Sequence, residues 1–196
     1  MLLNYDSHSP LYIIGTGPTA DELTYWISTE TENDVCVISQ EEFLKLSDNA
    51  QCMIGFQTID YRINFLSNSL INFRRWPTYI HPTAAVTCSN LIGIGSVIGP
   101  NATVCHNAKL GKFCSIAPHT NIGHNAQLGD NCIVSPGVVI GGSTILGNNI
   151  YIGQSSSIKD KITICNDSRF HMTSTVTKSI NYPGTYFGNR KVFLDT

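Results

Sequence analysis

The chain has 196 residues, room for one medium or two small domains, with 42% hydrophobic and 13% charged residues and a formal net charge of −2. Twelve Lys and Arg against fourteen Asp and Glu, with no basic stripe, argue against nucleic acid as a partner. No run approaches a membrane-spanning length, Met1 to Pro10 lacks the basic start and apolar core of an export signal, and the seven cysteines include no Cys-x-x-Cys pair or zinc spacing. The expectation is a soluble cytoplasmic protein with no membrane partner.

Residues 1–78 read as an α/β unit. Leu11-Tyr12-Ile13-Ile14 is a buried strand, Gly15-Thr16-Gly17-Pro18-Thr19-Ala20 a Gly-rich turn, and Asp21 to Ser28 a helix. Val35-Cys36-Val37-Ile38 and Gln51 to Gly55 follow as strands, and Ile59 to Leu70 as a second helix. This βαβαβ order is one half of a Rossmann-like fold, which suits a mononucleotide better than a whole dinucleotide. The turn matches G-x-G-x-x-A between strand and helix, where backbone N–H groups can approach a phosphate, so Gly15, Thr16 and Gly17 are the candidate substrate-binding residues. Two observations compete: such glycines also make plain tight turns, and Asp21 and Glu22 put negative charge where a pyrophosphate would sit. Glu41 and Glu42 read either as acceptors for a ribose hydroxyl or as exposed helix-start carboxylates. In Phe73-Arg74-Arg75-Trp76-Pro77, either arginine reaches a phosphate or, by default, makes a surface salt bridge.

From Ile80 to Val176 every sixth residue is aliphatic, Phe170 being the one exception. A six-residue period fits neither a helical turn nor plain alternation, but it fits a parallel β-helix whose coil uses three hexads. The residue after the aliphatic one is often Gly, as at Gly93, Gly111, Gly129 and Gly147, which suits a chain turning a corner. Four places after it stand small residues, among them Ala102, Cys114, Thr120, Cys132 and Ser156, as a narrow interior needs. Cys114 and Cys132 are one coil apart and should stack inside as core residues. His106 and His124 both stand two places after an aliphatic residue, one coil apart, and one coil further comes Gly142.

The order of a short nucleotide-type domain, then Tyr79-Ile80-His81-Pro82-Thr83-Ala84, then hexapeptide coils containing Ile122-Gly123-His124-Asn125-Ala126, and finally Val176-Thr177-Lys178-Ser179-Ile180 with Gly188-Asn189, resembles one family. It is that of the bacterial hexapeptide-repeat sugar acetyltransferases that acetylate UDP-4-amino sugars or O-acetylate sialic acid. The resemblance implies a left-handed hand for the β-helix, domains at 1–78, 79–180 and a tail at 181–196 near the CoA site, and acetyl-CoA as cosubstrate without a metal. It further implies a homotrimer with sites between subunits and a nucleotide-linked amino sugar as the acceptor. His124 falls on the family's catalytic histidine and Gly142 on the backbone N–H that holds the thioester oxygen. Chemically, imidazole titrates near neutral pH and can take the amine's proton, while a backbone donor can stabilise the oxyanion. Gly188, Asn189, Arg190 and Lys191 resemble the family's terminal CoA loop without its proline, and two cations there can meet phosphates.

The chain departs from that pattern in several places. Asn125 joins the catalytic group where a carboxylate is usual, Ile133 replaces a second histidine, Pro18-Thr19-Ala20 interrupts the nucleotide turn, and Ser39-Gln40 stands where acidic residues meet the base. Three further readings therefore stay open: a sialic-acid-type O-acetyltransferase, a catalytically weak nucleotide-sugar binder, and a γ-type carbonic anhydrase-like metalloenzyme. His119 and His124 have the spacing for the last, but not the phase relative to the aliphatic residues.

Overall fold

A computed structural model describes residues 1–30 and 34–192; residues 193–196, the end of the expected C-terminal tail, lie outside the described residues. The chain forms two compact units, Met1–Tyr79 and Ile80–Thr196.

In the first unit, strands β1 (Leu2–Leu3), β2 (Leu11–Ile14), β3 (Val35–Ile38), β4 (Gln51–Ile54) and β5 (Thr78–Ile80) accompany helices α1 (Pro18–Ser28), α2 (Gln40–Phe43) and α3 (Ile59–Leu66). The parallel sheet runs β3-β2-β4, with the first strand of the βαβαβ unit in the centre. That second-first-third order is the flavodoxin type, and it puts the crevice where strand order reverses between the carboxyl ends of β2 and β4. Helix α1 starts at Pro18, three residues before the expected Asp21, because proline has no N–H to leave unpaired in a first turn. It buries Ala20, Leu23 and Ile27. Close contact there depends on Gly55, where a Cβ would stand 2.7 Å from both the Ala20 Cβ and the Ile13 Cγ2. Helix α3 stops at Leu66, short of Leu70, and Ser69–Phe73 winds as 3₁₀ because Asn68 Oδ1 accepts from the Leu70 N–H at 2.9 Å. Phe43, Phe65 and Trp76 close the core with ring centroids 5.0 to 6.3 Å apart.

In the second unit, two-residue strands recur with the period of the sequence and pair in parallel one coil apart, as in Ser115↔Ile133, Asn121↔Val139 and Gln127↔Ile145. They sort into three sheets, the faces of a parallel β-helix. Every sixth residue from Ile98 to Val176 points inward and is 4% exposed or less, so the register of the sequence is the register of the core. Cys114 and Cys132 stack inside as expected.

The glycines have a different purpose from the one expected. The chain turns three places after each aliphatic residue, where Asn101, Asn107, Asn125, Asn131 and Asn149 stand at φ between 54° and 57°, a region asparagine tolerates. The glycine one place after the aliphatic residue instead lets coils approach: a Cβ on Gly129 would lie 2.7 Å from the carbonyl carbon of Gly147. Backbone cannot move aside as a side chain can, so Gly129→Ala is expected to destabilise the unit by roughly 3 kcal/mol. Thermal denaturation reads this directly, and an unchanged melting curve would contradict it.

Candidate active site

The residue two places after each inward aliphatic side chain stands at a corner of the coil, and the three corners treat its backbone N–H in three ways. At the first corner the donor is removed, because Pro100, Pro118 and Pro136 occupy it. At the third it is capped from the next coil: Lys112 N donates to Asp130 Oδ1 at 2.7 Å, Asp130 N to Asn148 Oδ1 at 2.8 Å, and Asn148 N to Asn166 Oδ1 at 2.9 Å. At the second corner the residues are His106, His124 and Gly142, and their N–H groups donate to no group among the described residues. Unpaired backbone donors cost free energy unless water or a ligand takes them. Pro100, Pro118 and Pro136 remove such donors and the Asp130, Asn148 and Asn166 side chains cap them, whereas among the described residues the second corner leaves them in a row.

His124 and Gly142 are in contact. A Cβ on Gly142 would lie 2.7 Å from Nε2, 2.9 Å from Cε1 and 3.1 Å from Cδ2 of the His124 ring, so the imidazole lies flat against a surface only glycine provides. The ring is exposed, while its backbone is fixed by the ladder: Ser143 N donates to the His124 carbonyl at 2.8 Å and Asn125 N to that of His106 at 2.9 Å. Asn125 occupies the left-handed turn position at φ 57°, and its Nδ2 donates to His124 Nδ1 at 3.0 Å. In that orientation a neutral ring carries its proton on Nε2. Turning the amide by 180° brings Oδ1 to the same place, holds the proton on Nδ1 and leaves Nε2 as the base. Asparagine can do either, whereas a carboxylate accepts only. Asn125→Asp, which tolerates the same φ, is therefore expected to raise turnover severalfold and Asn125→Ala to lower it; steady-state rates rising in Asn125→Ala would contradict this role.

The expected CoA loop is a hairpin. Gly184–Phe187 pairs with Ser168–Phe170 and returns through Gly188, at φ 59°, and Asn189 into Arg190–Val192. Asn189 clamps the last coil: its Oδ1 accepts from Thr177 N at 2.9 Å and from Thr177 Oγ1 at 2.8 Å, and its Nδ2 donates to the Lys178 carbonyl at 3.0 Å. Lys191 Nζ donates to the Pro183 carbonyl at 2.7 Å, while Arg190 and Lys178 are exposed. Lys178 stands at the second corner three coils beyond His124, about 14 Å along the stack. Sequence reasoning missed it, although continuing the step from His124 and Gly142 leads through Asp160 to Lys178.

In the first unit, Gly15 adopts φ 124° and Gly17 precedes α1 with nothing within 4 Å of a built Cβ. The N–H groups of Thr16, Gly17 and Thr19 donate to no group among the described residues. The acidic candidates Glu41 and Glu42 are both exposed in the first turn of α2, where Glu42 closes a capping box with Ser39, whose backbone N–H holds its carboxyl below the usual range. Ser39-x-x-Glu42 was the legible signal. Arg74 is structural, donating to Asp48 at 3.0 Å and to the Leu46 carbonyl at 2.8 Å over the Phe43 ring, and Arg75 pairs with Asp6 at 3.3 Å.

Among the described residues no three His, Cys, Asp or Glu side chains are placed to hold a metal ion, and no helix is long and apolar enough to cross a membrane. The buried thiols are poor nucleophiles: the hydrogen bond from Cys114 together with burial raises Cys132, and burial pushes Cys52 up to about 12.

The fold places the chain among hexapeptide-repeat β-helices that follow an α/β unit, and residues 107–142 match the family described as bacterial transferase hexapeptide (six repeats). Three solved structures share this architecture. GDP-perosamine N-acetyltransferase from Caulobacter crescentus, solved as a histidine-to-alanine variant with CoA and GDP-perosamine, superposes with a TM-score of 0.79 at 15% identity, over 90% of this chain and 92% of that one. WeeI from Acinetobacter baumannii AYE gives 0.74 at 21%, over 95% and 100%. The acetyltransferase domain of PglB from Neisseria gonorrhoeae FA1090, with acetyl coenzyme A, gives 0.58 at 20%, over 94% and 98%. At these identities the likeness is one of fold. A comparison with curated protein sequences finds no match.

Proposed function

We propose that this protein is an acetyltransferase that moves the acetyl group of acetyl-CoA onto the amino group of a nucleotide-linked amino sugar. The observation that carries the proposal is the His124 imidazole lying against Gly142, whose N–H has no partner among the described residues. Acyl transfer from a thioester needs a base and an oxyanion donor side by side. The amine nitrogen attacks the thioester carbonyl carbon, its proton passes to the unprotonated ring nitrogen of His124, and the Gly142 N–H takes the oxyanion. Collapse re-forms the carbonyl and breaks the C–S bond. The leaving sulfur takes the proton from His124, giving an amide and free CoA without an acyl-enzyme. Asn125 orients the ring.

The exposed cations Lys178 and Arg190, beyond His124 on the same stack of coils, suit the CoA phosphates, with Gly188, Asn189 and Lys191 shaping the hairpin that carries them. In the first unit, Gly15, Thr16 and Gly17 offer backbone donors to a nucleotide phosphate at the strand-order reversal. A cytoplasmic homotrimer belongs to the same reading: none of the seven cysteines forms a disulfide, and Val139 and Ile145 expose 48% and 46% of their surface on flat faces that another copy can cover. The likeness to solved N-acetyltransferases supports the choice of an amine.

The test is CoA release from acetyl-CoA against UDP-, GDP- and dTDP-linked amino sugars, with free sialic acid included. Turnover of a nucleotide-linked amine is expected. Turnover of sialic acid alone would move the protein to O-acetylation, and silence across the set would overturn the proposal.

A further inference from the structure

A second set of backbone donors without a partner among the described residues lies at the first corner, away from His124. On the face beside that corner the outward column runs in register through Val97, Ser115, Ile133, Tyr151, Arg169 and Thr185. The first three are buried and the last three half-exposed. At the corner itself the prolines at 100, 118 and 136 give way to Gln154 and Met172. Both columns change character at the same level of the stack, and a pocket of about 360 Å³ lies there, large enough for a small ligand.

Its lining is suited to an anion. Replacing proline restores a backbone N–H at Gln154 and at Met172, and neither donates to any group among the described residues. The Arg169 guanidinium, the Gln154 amide and the Tyr151 hydroxyl add further donors, and no described Asp or Glu lines the pocket. Pro136, Phe170 and Met172 give it an apolar wall. Backbone donors on neighbouring coils beside a guanidinium suit carboxylate and phosphate alike.

We propose that this pocket binds a small anionic ligand, a carboxylate or a phosphate ester carried on an apolar body, at a site separate from the His124 corner. The chain contains three methionines, Met1, Met53 and Met172, so isotope-labelled methionine methyl groups give three signals, of which Met172 alone reports on the pocket. Phenyl phosphate and benzoate are the probes, distinguishing the two head groups, and benzyl alcohol is the neutral control. The Met172 signal is expected to shift saturably with at least one of the anions and not with the alcohol, and to do so equally in the presence of saturating CoA. Arg169→Gln is expected to weaken the anion about tenfold. Gln154→Pro removes the backbone donor together with the side-chain amide, using a residue the coil already accepts at Pro100, Pro118 and Pro136, and it should weaken binding without changing the melting curve. A Met172 signal unmoved by both anions at millimolar concentration, an equal response to benzyl alcohol, unchanged affinity in Gln154→Pro, or loss of the shift on adding CoA would each overturn the proposal.

Discussion

Replacing His124 with alanine lowers turnover by about 10²- to 10⁴-fold, the range general-base catalysis supplies, while the coils and the affinity for acetyl-CoA stay as they are. The side chain is exposed, and its backbone keeps its place in the ladder through the Ser143 N–H whatever the side chain is. Loss of the imidazole therefore removes a proton acceptor and little else. The loss should fall on kcat, with the KM for acetyl-CoA little changed, because the ring acts on the attacking amine. A variant within severalfold of the parent would remove His124 from the chemistry.

Gly142→Ala is expected to cost about 10²- to 10³-fold in kcat, comparable to losing an oxyanion donor. Gly142 is not among the residues with positive φ, so alanine fits its backbone; the obstacle is the His124 ring, whose Nε2 lies 2.7 Å from the new Cβ. The ring must swing away, and the methyl group stands over the N–H. Gly123→Ala provides the contrast, because its Cβ meets backbone at Gly142 N at 2.6 Å and should lower stability. The variants thus separate: activity lost with the melting curve kept at 142, and a lowered melting curve at 123. Combining His124→Ala with Gly142→Ala should add little further loss, since both disable one constellation. Full activity in Gly142→Ala would contradict the geometry.

Much of this was legible because a β-helix writes its register into the sequence. The aliphatic residue at every sixth position fixes which side chains enter the core, and counting eighteen residues from His106 to His124 to Gly142 places them on one corner. Other features were carried by signals of another kind. The turning positions follow the asparagine period, which the more conspicuous glycines masked. Strand order in the first unit is a tertiary choice that the hydrophobic runs Leu11–Ile14, Val35–Ile38 and Gln51–Ile54 do not encode. The N–H groups of Gly142, Gln154 and Met172, without a partner among the described residues, emerge only when every backbone donor is traced to its acceptor, since proline at one corner and Asp130, Asn148 and Asn166 at another look like ordinary surface residues until then.

The central claim is that the second corner is where the acetyl group sits. A crystal structure of the protein with acetyl-CoA measures this most directly. The thioester oxygen is predicted about 3 Å from the Gly142 nitrogen, with the acetyl carbon facing the His124 ring and the phosphates toward Lys178 and Arg190. An acetyl group bound elsewhere, for example in the pocket beside Arg169 and Met172, would contradict it.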